Sequence, residues 1–171
     1  LAGDVARDAA GNLYVAANCW SGTSIAIDLC LAKYGPTGAL LWSAQWDGGS
    51  GRDDRAFALA VDPTGAPVVA GYCYPPSPAD YKFCVVKFNP ANGAVLWTQM
   101  QPAATAAKGA GYAIAADGAG NLFVTGDCST GTGTMTLCTF KLNGATGNVL
   151  WSAIRGGAGG TYDQARALVL D

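Results

Sequence analysis

Six cysteines are the residues best placed to do chemistry, and they recur in phase as Cys19 and Cys30, Cys73 and Cys84, Cys128 and Cys138. Each pair flanks a short connection whose composition changes from copy to copy, between two segments that read as antiparallel strands. Directly opposed residues on such strands have Cα atoms roughly 4.5–5.5 Å apart, within a disulfide's span. The phase therefore predicts one bridge per hairpin, worth about 2–3 kcal/mol each in the chain-entropy model. Buried reduced thiols are the alternative. A metal site is not expected, because there is no CxxC pair and no histidine to complete one. Bridged cysteines imply an oxidising compartment, whether periplasm, cell surface or medium.

The absence of histidine removes Ser-His-Asp and Cys-His nucleophiles and histidine-ligated zinc or haem together. Asp53 and Asp54, in GGSGRDDRA, are the carboxylates that suggest calcium or acid–base work. The matching stretch of the next unit is neutral, so they read as a solvated connection, with Gly48 to Gly51 as a turn. No helix and no GK[ST] follow the glycines, which excludes a phosphate loop. No catalytic residue, cofactor or metal is expected.

Lys33, Lys87 and Lys141 also keep phase. A lysine held inside a repeating unit needs a partner or an escape to water. The in-phase carboxylates Asp8, Asp62 and Asp117 are the candidate partners, and snorkelling from a strand end is the alternative. Trp42, Trp97 and Trp151 occur once per unit at one phase, which predicts packing between adjacent units. Trp20, Tyr74 and Tyr81 lie in or beside the variable connections, where exposed aromatics serve recognition.

These residues hang on a repeat. VARDAAGNLYVAANC at 5–19 returns as LAVDPTGAPVVAGYC at 59–73 and IAADGAGNLFVTGDC at 114–128, and the marker aspartates Asp8, Asp62, Asp117 and Asp171 step by 54, 55 and 54 residues. Short apolar runs alternate with glycine, asparagine and proline turns, so each unit reads as four strands. Pro67 lacks a backbone donor and belongs at a strand end. A repeat of about 50 residues with four antiparallel strands is a propeller blade. The expected fold is all-β, with blades at 1–54, 55–109 and 110–163, and with 164–171 opening a fourth repeat. That last segment, QARALVLD, sits in the phase of LAGDVARD and predicts a longer array.

The stretch LAKYGPTGALLWSAQWDGGSGRDDRAFALAVDPTGAPVVAGY, from Leu31 to Tyr72, resembles bacterial β-propeller repeats of the SBBP type. The likeness runs through the chain, although QPAATAAKGAGYAIAAD at the second junction lacks the aspartate pair. GALLW is similar, over about ten residues per unit, to the tryptophan-docking motif of quinoprotein propellers. Both resemblances imply a propeller.

Half of the residues are apolar and 13% charged, with a net charge of −2. No apolar run approaches the roughly 20 residues of a membrane helix, and the scattered cations do not suit nucleic acid. The reading is a non-catalytic extracellular scaffold that pairs with further copies or blades, or with surface proteins or glycans. Part of a quinoprotein-like dehydrogenase and a glycan-binding module are the alternatives.

Overall fold

The computed structural model describes residues 2–20, 22, 26–76, 80–100, 108–129, 134–156 and 162–171. The tips of the three variable connections and the segments 101–107 and 157–161 lie outside the described residues. Among the described residues twelve strands form three sheets. The first holds β1 (Ala2–Arg7), β2 (Leu13–Trp20), β3 (Ile27–Tyr34) and β4 (Leu40–Trp46). The second holds β5 (Arg55–Val61), β6 (Pro67–Cys73), β7 (Lys82–Phe88) and β8 (Val95–Met100). The third holds β9 (Gly109–Ala116), β10 (Asn121–Ser129), β11 (Met135–Asn143) and β12 (Val149–Arg155). Each sheet is a meander in chain order, antiparallel throughout. Among the described residues there is no helix long and apolar enough to cross a membrane.

The in-phase aspartate explains the first turn of every sheet. Asp8 accepts from Asn12 N at 2.8 Å, Asp62 from Thr64 N at 2.9 Å and Asp117 from Asn121 N at 2.8 Å. Gly11, Gly65 and Gly120 take φ of 84°, 82° and 81° in these turns, a region open to glycine at no steric cost. Pro67 begins β6, where a missing donor is tolerated.

The sheets stack in sequence. β5 packs on β1 and β2, and β9 packs on β5, β6 and β7, as innermost strands of blades around one axis do. One core lies between the first and second sheets, around Tyr14, Leu31, Val69, Val86 and Phe88. A second lies between the second and third, around Val68, Phe83, Leu122, Phe140 and Leu142. The middle sheet is thus covered on both faces, which is why KFCVVKF in β7 is buried at every position and shows no polar alternation. Each buried Phe or Val contributes roughly 1.5–3 kcal/mol by leaving water.

Candidate functional site

The feature that recurs with polar chemistry is a lysine–tryptophan clamp between sheets. Lys33 faces Trp42 across β3 and β4, Lys87 faces Trp97 across β7 and β8, and Lys141 faces Trp151 across β11 and β12. The register shifts immediately after each lysine. Such a bulge re-aims the side chains beside it, here toward the next sheet. Lys33 Nζ donates to Pro90 O at 2.9 Å, and Trp42 Nε1 donates to the same oxygen at 3.1 Å. One sheet on, Lys87 Nζ and Trp97 Nε1 donate to Gly144 O at 2.7 and 3.1 Å. The indoles lie on glycines of the same turns: a Cβ on Gly93 would sit 2.8 Å from the Trp42 ring, and one on Gly147 2.9 Å from that of Trp97.

Within each sheet the lysine also meets its aspartate, at 3.7 Å for Lys33–Asp8, 2.6 Å for Lys87–Asp62 and 3.9 Å for Lys141–Asp117. The pairing read from phase therefore holds in all three sheets. Burial pushes the Asp62 carboxyl up, but bonds from Lys87, Thr64 and Ala66 outweigh it and hold the group below its ordinary value. Asp8 is lowered in the same way, through Asn12 and Lys33 against burial, and Asp117 through Asn121 first. A carboxyl lowered on folding contributes stability that is full above its unfolded value, near 3.9, and is lost as the pH falls through the folded value. Stability is therefore expected to decline on acidification below about pH 4. Urea midpoints taken from about pH 4 to 2 check this, and a midpoint that climbs over that range contradicts it.

Neither end of the stack completes the clamp. Trp151 is 44% exposed and touches Phe123 edge-on, while the Lys141 ammonium lies over the Phe123 ring. Packing between units therefore fails for Trp151, because among the described residues no third-strand turn lies beyond the third sheet to receive it. At the other end, Gly38 has φ of 86° and nothing within 4 Å of where a Cβ would stand. The outer face of the first sheet carries a groove of about 390 Å³ lined by Val15, Ala17, Cys30, Ala32, Tyr34 and Gln45, among others. In the second sheet the corresponding positions, Val69, Cys84, Val86 and Phe88, are core. One end thus presents donors and the other a receiving turn. Residues 162–165 meet the third sheet through the contact that leads into β5 at the first, Asp163 N donating to Met135 O at 2.9 Å as Asp54 N does to Ile27 O at 2.6 Å. Residues 164–171, expected as the first strand of a fourth repeat, form no strand, and Val169 is 90% exposed.

All three cysteine pairs are bridged, with Cα atoms 5.9, 5.6 and 5.9 Å apart. Direct opposition is corrected, however. Cys30 lies across from Ala17, Cys84 from Gly71 and Cys138 from Gly126. The bridges run diagonally, because strand twist brings one diagonal neighbour close.

The recognition aromatics separate. Tyr74 and Tyr81 meet at 6.0 Å and both meet Tyr72, at 6.1 and 5.1 Å. Trp20 stands apart from them, 65% exposed. Tyr72 and Tyr74 line an open cavity of about 440 Å³ together with Ala26, Gly51, Arg52 and Asp53. Arg52 lies 4.3 Å over the Tyr74 ring, and Arg55 pairs with Asp53 at 3.0 Å. The solvated reading of the aspartate pair fails for Asp54, which is 0% exposed. It accepts from Gly48 N at 2.6 Å and Tyr74 N at 2.8 Å, so the glycine turn folds back over it. Gly49 and Gly51, with φ of 89° and 63°, make that turn.

No known protein-family model matches the chain, and no curated protein matches it in sequence. Its fold is similar to that of BamB from Moraxella catarrhalis, with a TM-score of 0.54 and 17% identity over 99% of this chain. The chain spans 44% of that protein's length. The likeness is one of fold, and the fold is that of propeller blades.

Proposed function

We propose that the chain is a non-catalytic, extracytoplasmic scaffold of disulfide-stapled propeller blades, whose two open end faces bind further blades of its own kind. One observation carries the reading: the Lys–Trp clamp is closed on a neighbouring turn at both internal junctions, by Pro90 O and Gly144 O, while Lys141 and Trp151 present the same donors at an open face. A second copy of the chain offers the matching turn, Gly35 to Gly38, beside the apolar groove of its first sheet. The three bridges suit an oxidising compartment. Exposed Trp20 is the observation that favours glycan binding as a second reading.

Sedimentation of the full chain over a range of concentrations tests the proposal. Association into multiples of 17.3 kDa is expected, weakened about tenfold or more by Trp151→Ala, as for a buried aromatic anchor. The side chain is exposed in the single chain, so far-UV circular dichroism should be unchanged. A monomer at every concentration would overturn the proposal.

A further inference from the structure

The first sheet junction differs from the second in a way that neither the repeat nor the scaffold role requires. Asp28 on β3, Asp47 just past β4 and Asp54 just before β5 each place a carboxylate oxygen within 4.8 Å of those of the other two. The trio does not repeat. Lys82 and Thr136 stand where Asp28 does, facing the first cysteine of their hairpins, and the Asp54 position is Gly109 at the start of the third sheet and recurs as an aspartate only at Asp163. Among the described residues the three carboxylates come together once, unlike the turn aspartates, which recur in every sheet.

Among the described residues no ion pair balances its charge. Asp28 is 4% exposed and Asp54 0%, and none of the ion pairs formed by described residues involves the trio. Gln45 Nε2 donates to Asp28 Oδ2 at 2.7 Å, but Asp28 Oδ1 is buried with no donor. A buried carboxylate oxygen without a partner is costly, and it points to a ligand of opposite charge. Asp54 receives one backbone N–H on each oxygen, which leaves a second lone pair on each. Gly48 lets the turn close on this group, since a Cβ there would stand 2.9 Å from Asp54 Oδ1. Asp47 is exposed and gives the cluster its opening to solvent.

We infer that Asp28, Asp47 and Asp54 bind a calcium ion that ties the connection between the first two sheets to the first sheet. The donor set selects the ion. It is all oxygen and triply acidic, without nitrogen or sulfur for zinc or copper. A flexible glycine turn suits the six to eight ligands and loose geometry of Ca²⁺ better than the strict octahedron of Mg²⁺. Water and carbonyl oxygens would complete the shell through the opening at Asp47.

The test uses the full chain, freed of metal with a chelator. Calorimetric titration with CaCl₂ should show one ion per chain, with a Kd of about 10⁻³ M or tighter, and melting should move to higher temperature with CaCl₂ but less with equal MgCl₂. Tb³⁺ in place of Ca²⁺ should luminesce on excitation of the nearby aromatics and be displaced by Ca²⁺. Asp47→Asn, at an exposed position, should keep the circular dichroism spectrum and weaken binding about tenfold or more. Asp80→Asn, elsewhere on the surface, should leave binding unchanged. Asp28→Asn should remove the calcium response while raising the melting temperature in chelator, since it relieves like-charge burial. No heat and no melting shift up to about 10 mM CaCl₂, or wild-type affinity in Asp47→Asn, would overturn the site.

Discussion

Reduction of the three disulfides is expected to unfold the protein at room temperature. The bridges close loops of 11, 11 and 10 residues. Loops of that size stabilise by about 2.8 kcal/mol apiece in the chain-entropy model, or about 8 kcal/mol together. A domain's whole stability is about 5–15 kcal/mol. The order of reduction follows burial. Cys73, Cys84, Cys128 and Cys138 are sealed between sheets, whereas Cys19 and Cys30 are half-buried at the outer sheet, where a thiolate reductant reaches them first. Mild reductant should therefore open Cys19–Cys30 alone and cost about a third of the total, and full reduction should abolish the cooperative urea transition. A midpoint that survives full reduction would mean that the sheets hold without their staples.

Lys87→Met is expected to cost about 3 kcal/mol, the low end of the range for breaking a buried ion pair. The Lys87–Asp62 side chains are 7% and 2% exposed, so removing the ammonium strands a carboxylate out of water. The cost stays at the low end because Thr64 and Ala66 still donate to Asp62, and Trp97 still donates to Gly144 O. Lys141→Met supplies the contrast. The same repeat position at the open face pairs at 3.9 Å with both side chains about a quarter exposed, and a pair in that setting contributes less than about 1 kcal/mol. Denaturant unfolding of the two variants should separate them by about 2 kcal/mol. Equal losses would show that the lysine acts within its own sheet and owes nothing to the covering one.

Much of this was legible in the sequence because a repeat aligns its own evidence. The phase of Asp8, Asp62 and Asp117 identified the lysine partners, and the cysteine phase chose the pairing that the structure contains. Features set by three-dimensional neighbours were not legible. The diagonal cysteine register comes from strand twist, which leaves no mark on residue type. The shared acceptor of the clamp is a main-chain carbonyl, carried by Pro90 in one sheet and Gly144 in the next, so no side chain announces it. Asp54 was misread because acidic residues beside glycine turns usually face water, whereas here the turn closes over the carboxylate. Trp151 carries the same sequence signal as Trp42 and Trp97, and only the absence of a covering turn among the described residues distinguishes it.

The open clamp is tested most directly by fluorine NMR of the full chain labelled with 5-fluorotryptophan, its five tryptophans assigned by single substitutions. The expected result is that the partly buried Trp42 and Trp97 keep a smaller solvent isotope shift that does not change with concentration, while Trp151 loses its shift as concentration rises and the chains join. A Trp151 resonance that stays fully solvent-sensitive at every concentration would contradict the proposal that its face receives another blade.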